Sequence, residues 1–350
     1  MTSQSTPPGL AILITGASGF IGQALAAALQ SDPAVGHIIL SDVVEPAILR
    51  PKTPTKTLIS SLTSDLTSRE DREYLFKLDF DVVYLLHGIM SGASEANLEL
   101  GIKVNLDATR HILDILRIHK PGVKIVYPST TAVYGPPESP KELTTERTAP
   151  LPGSSYGAQK LIVETLLNDF SRRGLLDARI LRLPTVSSNR WAWSMSLLML
   201  VQVTVRPGKP TGAASSFASG IFREPLNGEK AVLPVSKDLE LWICSPRTVV
   251  KNLIHARDIP QEKYRGKSRT VNLPGVTVTV KEMLQALENF GGKPALDLIE
   301  EKRDEAIEKI VESWPPRFDT SLAMSLGFVD DGSLERTLQE YIEDYGTKKG

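Results

Sequence analysis

A short apolar segment that runs directly into three evenly spaced glycines most constrains how this chain can fold. Residues 10–14 read Leu-Ala-Ile-Leu-Ile, and Gly16, Gly19 and Gly22 follow before an Ala-rich segment of helical pattern. A continuous apolar run of this length is typical of a parallel strand that is covered on both faces. A strand, a glycine loop and a helix, in that order, form the context in which such a triplet binds the pyrophosphate of a dinucleotide.

Each glycine of this loop has its own physical role. Gly16 permits the tight turn, Gly19 lets the backbone approach the pyrophosphate, and Gly22 lets the helix pack against the strand. The first helical turn, with Phe20 and Ile21, offers backbone N–H groups and the positive end of the helix dipole to the phosphates. The alternative is an ordinary turn, because turns use glycine as well.

Apolar segments and helical patterns continue to alternate over the first 150 residues. Strands are predicted at residues 38–40, ending near Asp42, and at 58–61, 81–86 and 124–127, with an amphipathic helix over 97–119. Alternation of this kind favours an α/β protein with a Rossmann-type, doubly wound parallel sheet.

Two carboxylates follow predicted strands. Asp42 ends the second strand, where a carboxylate accepts hydrogen bonds from both ribose hydroxyls and repels a 2′-phosphate. This position favours NAD over NADP, and the alternative is a solvated turn residue. Asp65 and Leu66 follow the third strand, where such sheets contact the adenine. A helix N-cap within residues 64–67 is an equal alternative.

Charge and composition argue against several functional classes. The formal net charge of −1 gives no bulk attraction to nucleic acid or to an anionic membrane. A single cysteine, Cys244, excludes an intrachain disulfide and fits a reducing compartment such as the cytoplasm. The five histidines show no ligand spacing, so no catalytic metal is expected. No apolar run reaches the roughly 18 residues of a membrane span. The polar, Pro-rich residues 1–9 are expected to be a disordered tail rather than a signal peptide.

Two longer motifs carry a family resemblance. Residues 127–135 read Tyr-Pro-Ser-Thr-Thr-Ala-Val-Tyr-Gly, and residues 154–160 read Ser-Ser-Tyr-Gly-Ala-Gln-Lys. Together with the glycine loop they resemble the extended short-chain dehydrogenases/reductases, which include sugar-nucleotide epimerases and dehydratases. Tyr156 and Lys160 are four residues apart, so one helical face presents both.

The resemblance implies alcohol oxidation with NAD. Tyr156 would take the hydroxyl proton, Lys160 would lower its pKa and hold the nicotinamide ribose, and Thr130 would orient the substrate oxygen, with Ser129 as the adjacent alternative. Free tyrosine titrates near about 10, so the chemistry needs a neighbouring positive charge. Taken alone, a Tyr-x-x-x-Lys pattern is equally compatible with a surface pair.

Four further positions match the family beside the cofactor. Gly88 follows the fourth strand where the backbone passes the cofactor, and His87 before it is interpreted as structural rather than catalytic. Asn105 matches an asparagine that steadies the helix next to the active site, and Pro184 lies near the nicotinamide. These roles are implied by the resemblance alone.

The second half resembles one branch of the family, the D-erythronate dehydrogenases, above all at residues 213–221, Ala-Ala-Ser-Ser-Phe-Ala-Ser-Gly-Ile. This resemblance implies NAD-dependent oxidation of the C2 hydroxyl of D-erythronate, or of a similar four-carbon sugar acid, in a homodimer. Arginine binds carboxylates through a planar fork, so Arg206 and Arg247 are candidate substrate ligands, with Ser215 as a hydroxyl partner. Salt bridges at the surface or between lobes are the alternative for both arginines.

The resemblance also implies a division of the chain. Residues 10–182 would form the NAD-binding domain with the catalytic residues, and residues 183–350 mainly a smaller, interleaved substrate lobe that returns to the main sheet. Residues 187–203 interrupt the similarity, which suggests a retained intron or, alternatively, a genuine amphipathic insertion. Two other functions stay open at this point: a nucleotide-sugar epimerase or dehydratase, and a non-catalytic NAD-binding regulator.

Overall fold

A computed structural model describes residues 9–49, 55–139, 141–186, 216–264, 268–337 and 339. In the first half, strands and helices alternate as follows: β1 (Leu10–Thr15), α1 (Phe20–Leu29), β2 (Val35–Asp42), β3 (Leu58–Thr63), α2 (Arg69–Leu75), β4 (Val82–Leu85), α3 (Ser91–Ala96), α4 (Leu98–Gly101), α5 (Thr109–His119), β5 (Lys124–Thr130), α6 (Ser155–Arg172) and β6 (Asp177–Leu183). A π-helical segment, Ile102–Ala108, joins α4 to α5, and a 3₁₀ turn, Thr131–Val133, follows β5.

The second half mixes short strands with helices: β7 (Thr185–Val186), α7 (Phe217–Leu226), β8 (Ala231–Leu233), β9 (Glu240–Cys244), α8 (Pro246–Asp258), β10 (Thr270–Asn272), β11 (Val276–Thr279), α9 (Val280–Leu296), β12 (Ile299–Glu301), α10 (Glu305–Glu312) and α11 (Ser321–Ser325). None of the helices that the structure describes has the length and apolar character needed to cross a membrane.

The main sheet has seven described strands in the order β10-β6-β5-β4-β1-β2-β3, and each neighbouring pair is parallel. The chain leaves β1 towards β2 and β3 and then crosses back to β4, so the strand order reverses between β1 and β4. The loops after these two strands therefore lie side by side at the carboxyl edge, where open α/β sheets bind their ligands. The predicted doubly wound parallel sheet is confirmed.

Alternation along the buried strands divides the apolar side chains between two cores. Ile12 and Ile14 of β1 pack with Leu253 of α8 on one face, while Leu13 packs with Val163 of α6 on the other. Because both faces are covered by helices, the central strands β1 and β4 are almost entirely apolar, as the sequence pattern indicates.

The second half forms a smaller core and also contributes to the main sheet. Strands β11, β9 and β7 make one small sheet, and β8 pairs with β12 in another. Helices α7 and α9 pack over these strands around Phe222, Ile243 and Leu287. Strand β10 adds to the edge of the main sheet beside β6, so the second half returns to the first.

Two elements differ from the sequence predictions. Strand β5 continues through Thr130, because Pro128, Ser129 and Thr130 still pair with β6 after the apolar pattern has ended. The helix predicted over residues 97–119 contains the π-helical segment, which a pattern of apolar spacing does not reveal. Residues 1–8, the interruption at 187–203, Arg206 and Ser215 lie outside the described residues.

Candidate active site

Two glycines of the loop after β1 are required by the packing of the protein itself. Gly16 has a φ of +65°, and a Cβ there would lie 2.7 Å from the backbone nitrogen of His87. A Cβ on Gly22 would lie 2.5 Å from the carbonyl oxygen of Gly16. A side chain at Gly16 would therefore push apart the loops that follow β1 and β4, and one at Gly22 would push α1 away from the glycine loop.

Gly19 differs from these two glycines, because its surroundings leave room for a ligand or a small side chain. A Cβ there would meet the Gly16 oxygen at 3.1 Å and no other atom of the described residues within 4 Å. Gly19 caps α1, whose first turn contains Phe20 and Ile21 and no acidic residue. Free N–H groups and the helix dipole favour an anion at this point. The cradle thus fits the pyrophosphate of a dinucleotide.

Asp42 lies beside this cradle at the carboxyl end of β2. Its Oδ2 accepts the backbone N–H of Ser18 at 2.9 Å, and its Oδ1 accepts that of Val43 at 2.7 Å. Ser18 belongs to the glycine loop, so the carboxylate connects β2 to the phosphate cradle. Its position at the strand end matches that of a ribose-binding acid.

Asp65 stands in a turn at the same sheet edge. Its Oδ1 accepts the Thr67 N–H at 2.8 Å, and the helix N-cap is Ser68, which accepts from the Asp71 N–H. The alternative of an N-cap within residues 64–67 is therefore wrong. The Leu66 side chain is buried in the core, which leaves its backbone as the part that could face an adenine.

His87, directly after the β4 region, has both ring nitrogens engaged. Nδ1 lies 2.9 Å from the Thr15 hydroxyl, and Nε2 lies 3.1 Å from the Thr109 hydroxyl. Burial, assisted by the charge of Lys160, lowers the pKa of His87 to about 3. The ring is neutral at physiological pH and bridges β1 to α5, which supports the structural interpretation of this histidine.

Gly88 and Asn105 join the β4 loop to the helix that carries Tyr156 and Lys160. Gly88 has a φ of +155°, and a Cβ there would lie 2.9 Å from the Asn105 side chain. Asn105 accepts the Ile89 N–H at 2.8 Å and donates to the Ile89 oxygen at 2.9 Å and to Gln159 Oε1 at 2.8 Å. Gln159 lies on α6, and sequence reasoning missed this contact.

The start of α6 is packed tightly against the turn after β5. Ser154 caps the helix by accepting the Gly157 N–H at 3.2 Å. A Cβ on Gly157 would overlap the carbonyl oxygen of Ala132, so this position permits the close approach. The first turn of α6 is thereby held beside the carboxyl end of β5, with Tyr156 next to it.

Tyr156 and Lys160 are both buried, at 8% and 6% exposure. The Lys160 Nζ donates to the Pro128 carbonyl oxygen at 2.9 Å. It lies 4.4 Å from the centre of the Tyr127 ring and 5.8 Å from the centre of the Tyr156 ring. The structure therefore brings together the two side chains that the helical spacing placed on one face.

Burial moves the pKa values of this pair in opposite directions. It lowers the pKa of Lys160 to about 8, although the carboxylate of Glu164 acts to raise it. It raises the pKa of Tyr156 well above the ordinary value. The direction at Tyr156 in the protein without NAD is opposite to the sequence expectation, because burial removes the charged phenolate from water.

Thr130 and Ser129 close the site at the end of β5. The Thr130 hydroxyl accepts the Ala132 N–H at 3.1 Å and starts the 3₁₀ turn. The Ser129 hydroxyl is buried and has no hydrogen-bond partner among the described residues. The side chains of Thr130 and Ser129 alternate across the strand, so Ser129 shares the face of Tyr127, on whose ring Lys160 lies.

The remaining predicted positions lie around β6 and β9. Pro184 is buried at the end of β6, and β7 follows it to pair with β9. Cys244 at the end of β9 lies opposite Val186, and α8 begins immediately afterwards with Arg247 exposed in its first turn. Arg247 thus follows the carboxyl end of β9 beside the end of β7, while Arg206 and Ser215 are outside the described residues. In the ranges that the structure describes, no cluster of His, Cys, Asp or Glu could hold a metal ion.

Comparison with known proteins finds one matching family and relatives that are similar over nearly the full length of this chain. Residues 12–196 match the NAD dependent epimerase/dehydratase family. D-erythronate dehydrogenase of Haemophilus influenzae is 40% identical over 95% of this chain and 98% of its own length. The D-erythronate dehydrogenase of Cupriavidus necator is 38% identical over 97% of this chain and 99% of its own length.

A solved structure also covers almost the whole chain. The nucleoside-diphosphate-sugar epimerase from Agrobacterium tumefaciens superimposes with a TM-score of 0.83 and 34% sequence identity. The alignment covers 98% of this chain and 97% of that protein. Similarity therefore extends through both the sheet that carries the glycine loop and the smaller core of the second half.

Proposed function

This chain belongs to the NAD-dependent epimerase/dehydratase family, and we propose that it is a dehydrogenase that oxidises D-erythronate with NAD. The assignment of the substrate rests on a sequence identity of about 40%, over nearly the full length, to two D-erythronate dehydrogenases. The reaction site that we propose is the C2 hydroxyl, which would become the carbonyl of a 2-keto acid.

The residues of the cradle fit NAD. Gly16, Gly19 and Gly22 would hold the pyrophosphate at the start of α1, and Asp42 would bind the adenosine ribose. Backbone at Phe20, Ile21, Asp65, Leu66 and Gly88 would line the remainder, with Tyr156, Lys160 and Pro184 at the nicotinamide end. When bound, NAD⁺ supplies the hydride acceptor and a positive charge on its nicotinamide ring.

Three side chains of the protein would orient the substrate hydroxyl, accept its proton and stabilise the charge on the acceptor. Thr130 orients the C2 hydroxyl, and the phenolate oxygen of Tyr156 accepts its proton as the O–H bond breaks. The C2–H bond breaks with its electron pair leaving as hydride, so C2–O becomes a carbonyl. Lys160 holds a positive charge beside Tyr156, and burial of both groups strengthens their interaction. The buried hydroxyl of Ser129 is the adjacent donor on the same strand.

A sugar acid adds a carboxylate that must be recognised. Arg247, exposed in the first turn of α8 directly after β9, is the described arginine that we assign to it. We extend the assignment to Arg206 and Ser215 from the sequence alone. A planar guanidinium gives two parallel hydrogen bonds to a carboxylate, which suits discrimination of acids from neutral sugars.

The test is to mix the purified protein with NAD and a panel of aldonic acids and to follow NADH absorbance. We expect turnover with D-erythronate and none with sugar nucleotides. Turnover of a sugar nucleotide without net NADH would instead identify an epimerase. Binding of NAD with no reaction on any substrate would point to a regulator.

The same assay applies to the interruption at residues 187–203. Protein with and without this segment should be compared, and the transcript should be sequenced. We propose that the segment is a retained intron, so the shortened protein is expected to be the more active form. A dominant transcript that contains the segment, together with full activity of the longer chain, would contradict this.

We further propose a homodimer, a cytoplasmic location, and a division into an NAD-binding part over residues 10–182 and a substrate part over 183–350.

The proposed dimer interface lies on two helices of the NAD-binding part. Helices α4 and α6 contact each other, and they expose the apolar side chains of Leu98, Leu100 and Ile162 at 52%, 42% and 46%. Neighbouring exposed apolar side chains of this kind suit a protein interface. Sedimentation of the wild type and of Ile162→Lys tests the dimer, and a monomeric wild type would contradict it.

A further inference from the structure

A buried ion pair lies one helical turn beyond the Tyr156–Lys160 pair. Glu164 is 2% exposed and Arg182 is 5% exposed. The Arg182 Nε donates to Glu164 Oε1 at 3.0 Å, and its Nη2 donates to Oε2 at 2.6 Å. Both carboxylate oxygens are thus held by one guanidinium fork, which is the most specific geometry for such a pair.

The pair is fixed from two elements that also form the site. Glu164 follows Lys160 by four residues on α6, so the two side chains share one helical face. Arg182 lies on β6 directly opposite Ser129 of β5. Arg182 also donates to the Tyr134 hydroxyl, and Tyr134 in turn donates to the Thr145 oxygen at 2.9 Å. The carboxylate therefore has little freedom to move.

The stability of the fold alone does not explain why the charged residues Glu164 and Arg182 occupy this buried position. A buried ion pair contributes little compared with apolar residues of the same volume, although breaking it is costly. A carboxylate in this position does, however, act on the one buried ammonium that the proposed reaction needs. Burial drives Lys160 towards its neutral form, and Glu164 opposes that effect.

The other titratable groups around Lys160 do not replace this carboxylate. In the protein without NAD, burial raises the pKa of Tyr127 and of Tyr156, so neither adds a negative charge beside Lys160. His87 is neutral, because burial lowers its pKa to about 3. Of the groups that face Lys160 from α6, β5 and the β4 loop, Glu164 is thus the one whose charge favours the ammonium.

We propose that Glu164 is a positioning residue that, held by Arg182, keeps the Lys160 side chain charged and seated against the Pro128 carbonyl. The proposal rests on the proposed function for the importance of that charge. Glu164 acts through Lys160 rather than on the substrate. Arg182 fixes the direction of the carboxylate by donating to both of its oxygens.

The direct test is the titration of Lys160 itself. The protein is labelled with ¹³C at the lysine side chains, the Lys160 signal is assigned by its loss in Lys160→Met, and its shift is followed by NMR from pH 6 to 11. Glu164→Gln should lower the titration midpoint by about one pH unit, because a nearby opposite charge is removed. The alkaline limb of kcat/KM should move to lower pH by the same amount.

Matched variants separate this role from a merely structural one. Arg182→Lys keeps the carboxylate and a positive charge beside it, so the Lys160 midpoint should stay close to the wild-type value. Asp169→Asn removes an exposed carboxylate from the same helix and should leave the midpoint unchanged. Equal downward shifts in Glu164→Gln and Arg182→Lys would overturn the proposal.

A double variant covers the case in which Glu164→Gln does not fold. Glu164→Gln with Arg182→Gln leaves no unpaired buried guanidinium, and it should still lower the Lys160 midpoint. An unchanged midpoint in this folded double variant contradicts the role of Glu164. The titration needs no substrate, so a failure of the proposed function, seen as no NADH from D-erythronate in the wild type, stays distinguishable from a failure here.

Discussion

The backbone N–H of Ser18 donates to Oδ2 of Asp42 at 2.9 Å, so the residue that ends β2 holds the glycine loop that follows β1. One carboxylate thus supports the loop and stands where the adenosine ribose of NAD would bind. It also carries the negative charge that would repel a 2′-phosphate. Cofactor choice and loop geometry are consequently linked through a single side chain.

Asp42→Asn should weaken NAD use and reduce the preference over NADP. We expect kcat/KM with NAD to fall by about tenfold, and the NAD/NADP ratio to fall further, because the repulsive charge is gone. Steady-state kinetics with both cofactors measure this. The matched control is Asp79→Asn, which removes an exposed carboxylate before β4, at the opposite sheet edge, and should alter the ratio little. Equal changes in the two variants would argue against a ribose-binding role for Asp42.

Alanine substitutions at two glycines of the loop should affect different quantities, one the stability of the protein and the other its affinity for NAD. Gly22→Ala places a Cβ 2.5 Å from the Gly16 oxygen and should destabilise the protein by about 1–3 kcal/mol. Gly19→Ala has only one contact, at 3.1 Å, so stability should hardly change while NAD affinity falls. Thermal unfolding and NAD titration by protein fluorescence give the two quantities. Undiminished NAD binding in Gly19→Ala would show that the pyrophosphate lies elsewhere.

Tyr156→Phe should abolish the proton transfer without disturbing the cradle. Loss of a positioned acid–base group typically lowers kcat by about 10²–10⁴-fold. NAD affinity should stay within about threefold of the wild type, since the ring and its packing remain. Tyr74→Phe, at an exposed tyrosine, is the matched control and should be fully active. Comparable turnover in Tyr156→Phe would remove this residue from the mechanism.

Arg247→Gln tests the recognition of the substrate carboxylate. Charge-assisted hydrogen bonds contribute about 1.5–3 kcal/mol, so KM for D-erythronate should rise by about 10- to 100-fold. The affinity for NAD should not change, because the side chain is assigned to the acid alone. Arg110→Gln, at an exposed arginine on α5, provides the control. A normal KM in Arg247→Gln would transfer the role to another residue.

His87 should make the fold sensitive to acid. Its pKa is lowered to about 3 in the folded chain, whereas the unfolded value is near 6.5. The unfolded chain therefore binds the extra proton first, and stability is lost as the pH falls from 6.5 towards 3. At pH 4 this amounts to up to about 3 kcal/mol. Urea unfolding at pH 7 and pH 4 should show a smaller loss in His87→Gln, and an identical loss would contradict the assignment.

Local pattern was sufficient for the parts of the site that depend on chain direction and spacing. Parallel strands bring their carboxyl ends to one edge, so the sequence alone predicts that Asp42, at a strand end, lies beside the glycine loop. The four-residue spacing of Tyr156 and Lys160 likewise required only a helix. Similarity to known sequences then added the substrate, which no spacing could supply.

Contacts between distant segments required the folded chain. Arg182 and Glu164 come from a strand and a helix that meet only after the sheet has formed, and neither position carries a local signal. The same holds for Asn105, which lies in the π-helical segment, and its hydrogen-bond partner Gln159 on α6. The pKa of Tyr156 also depends on how completely the assembled protein excludes water. Sequence established which chemical groups are present and in what order, whereas packing in three dimensions set their charges and partners, because burial and long-range contacts are properties of the whole fold.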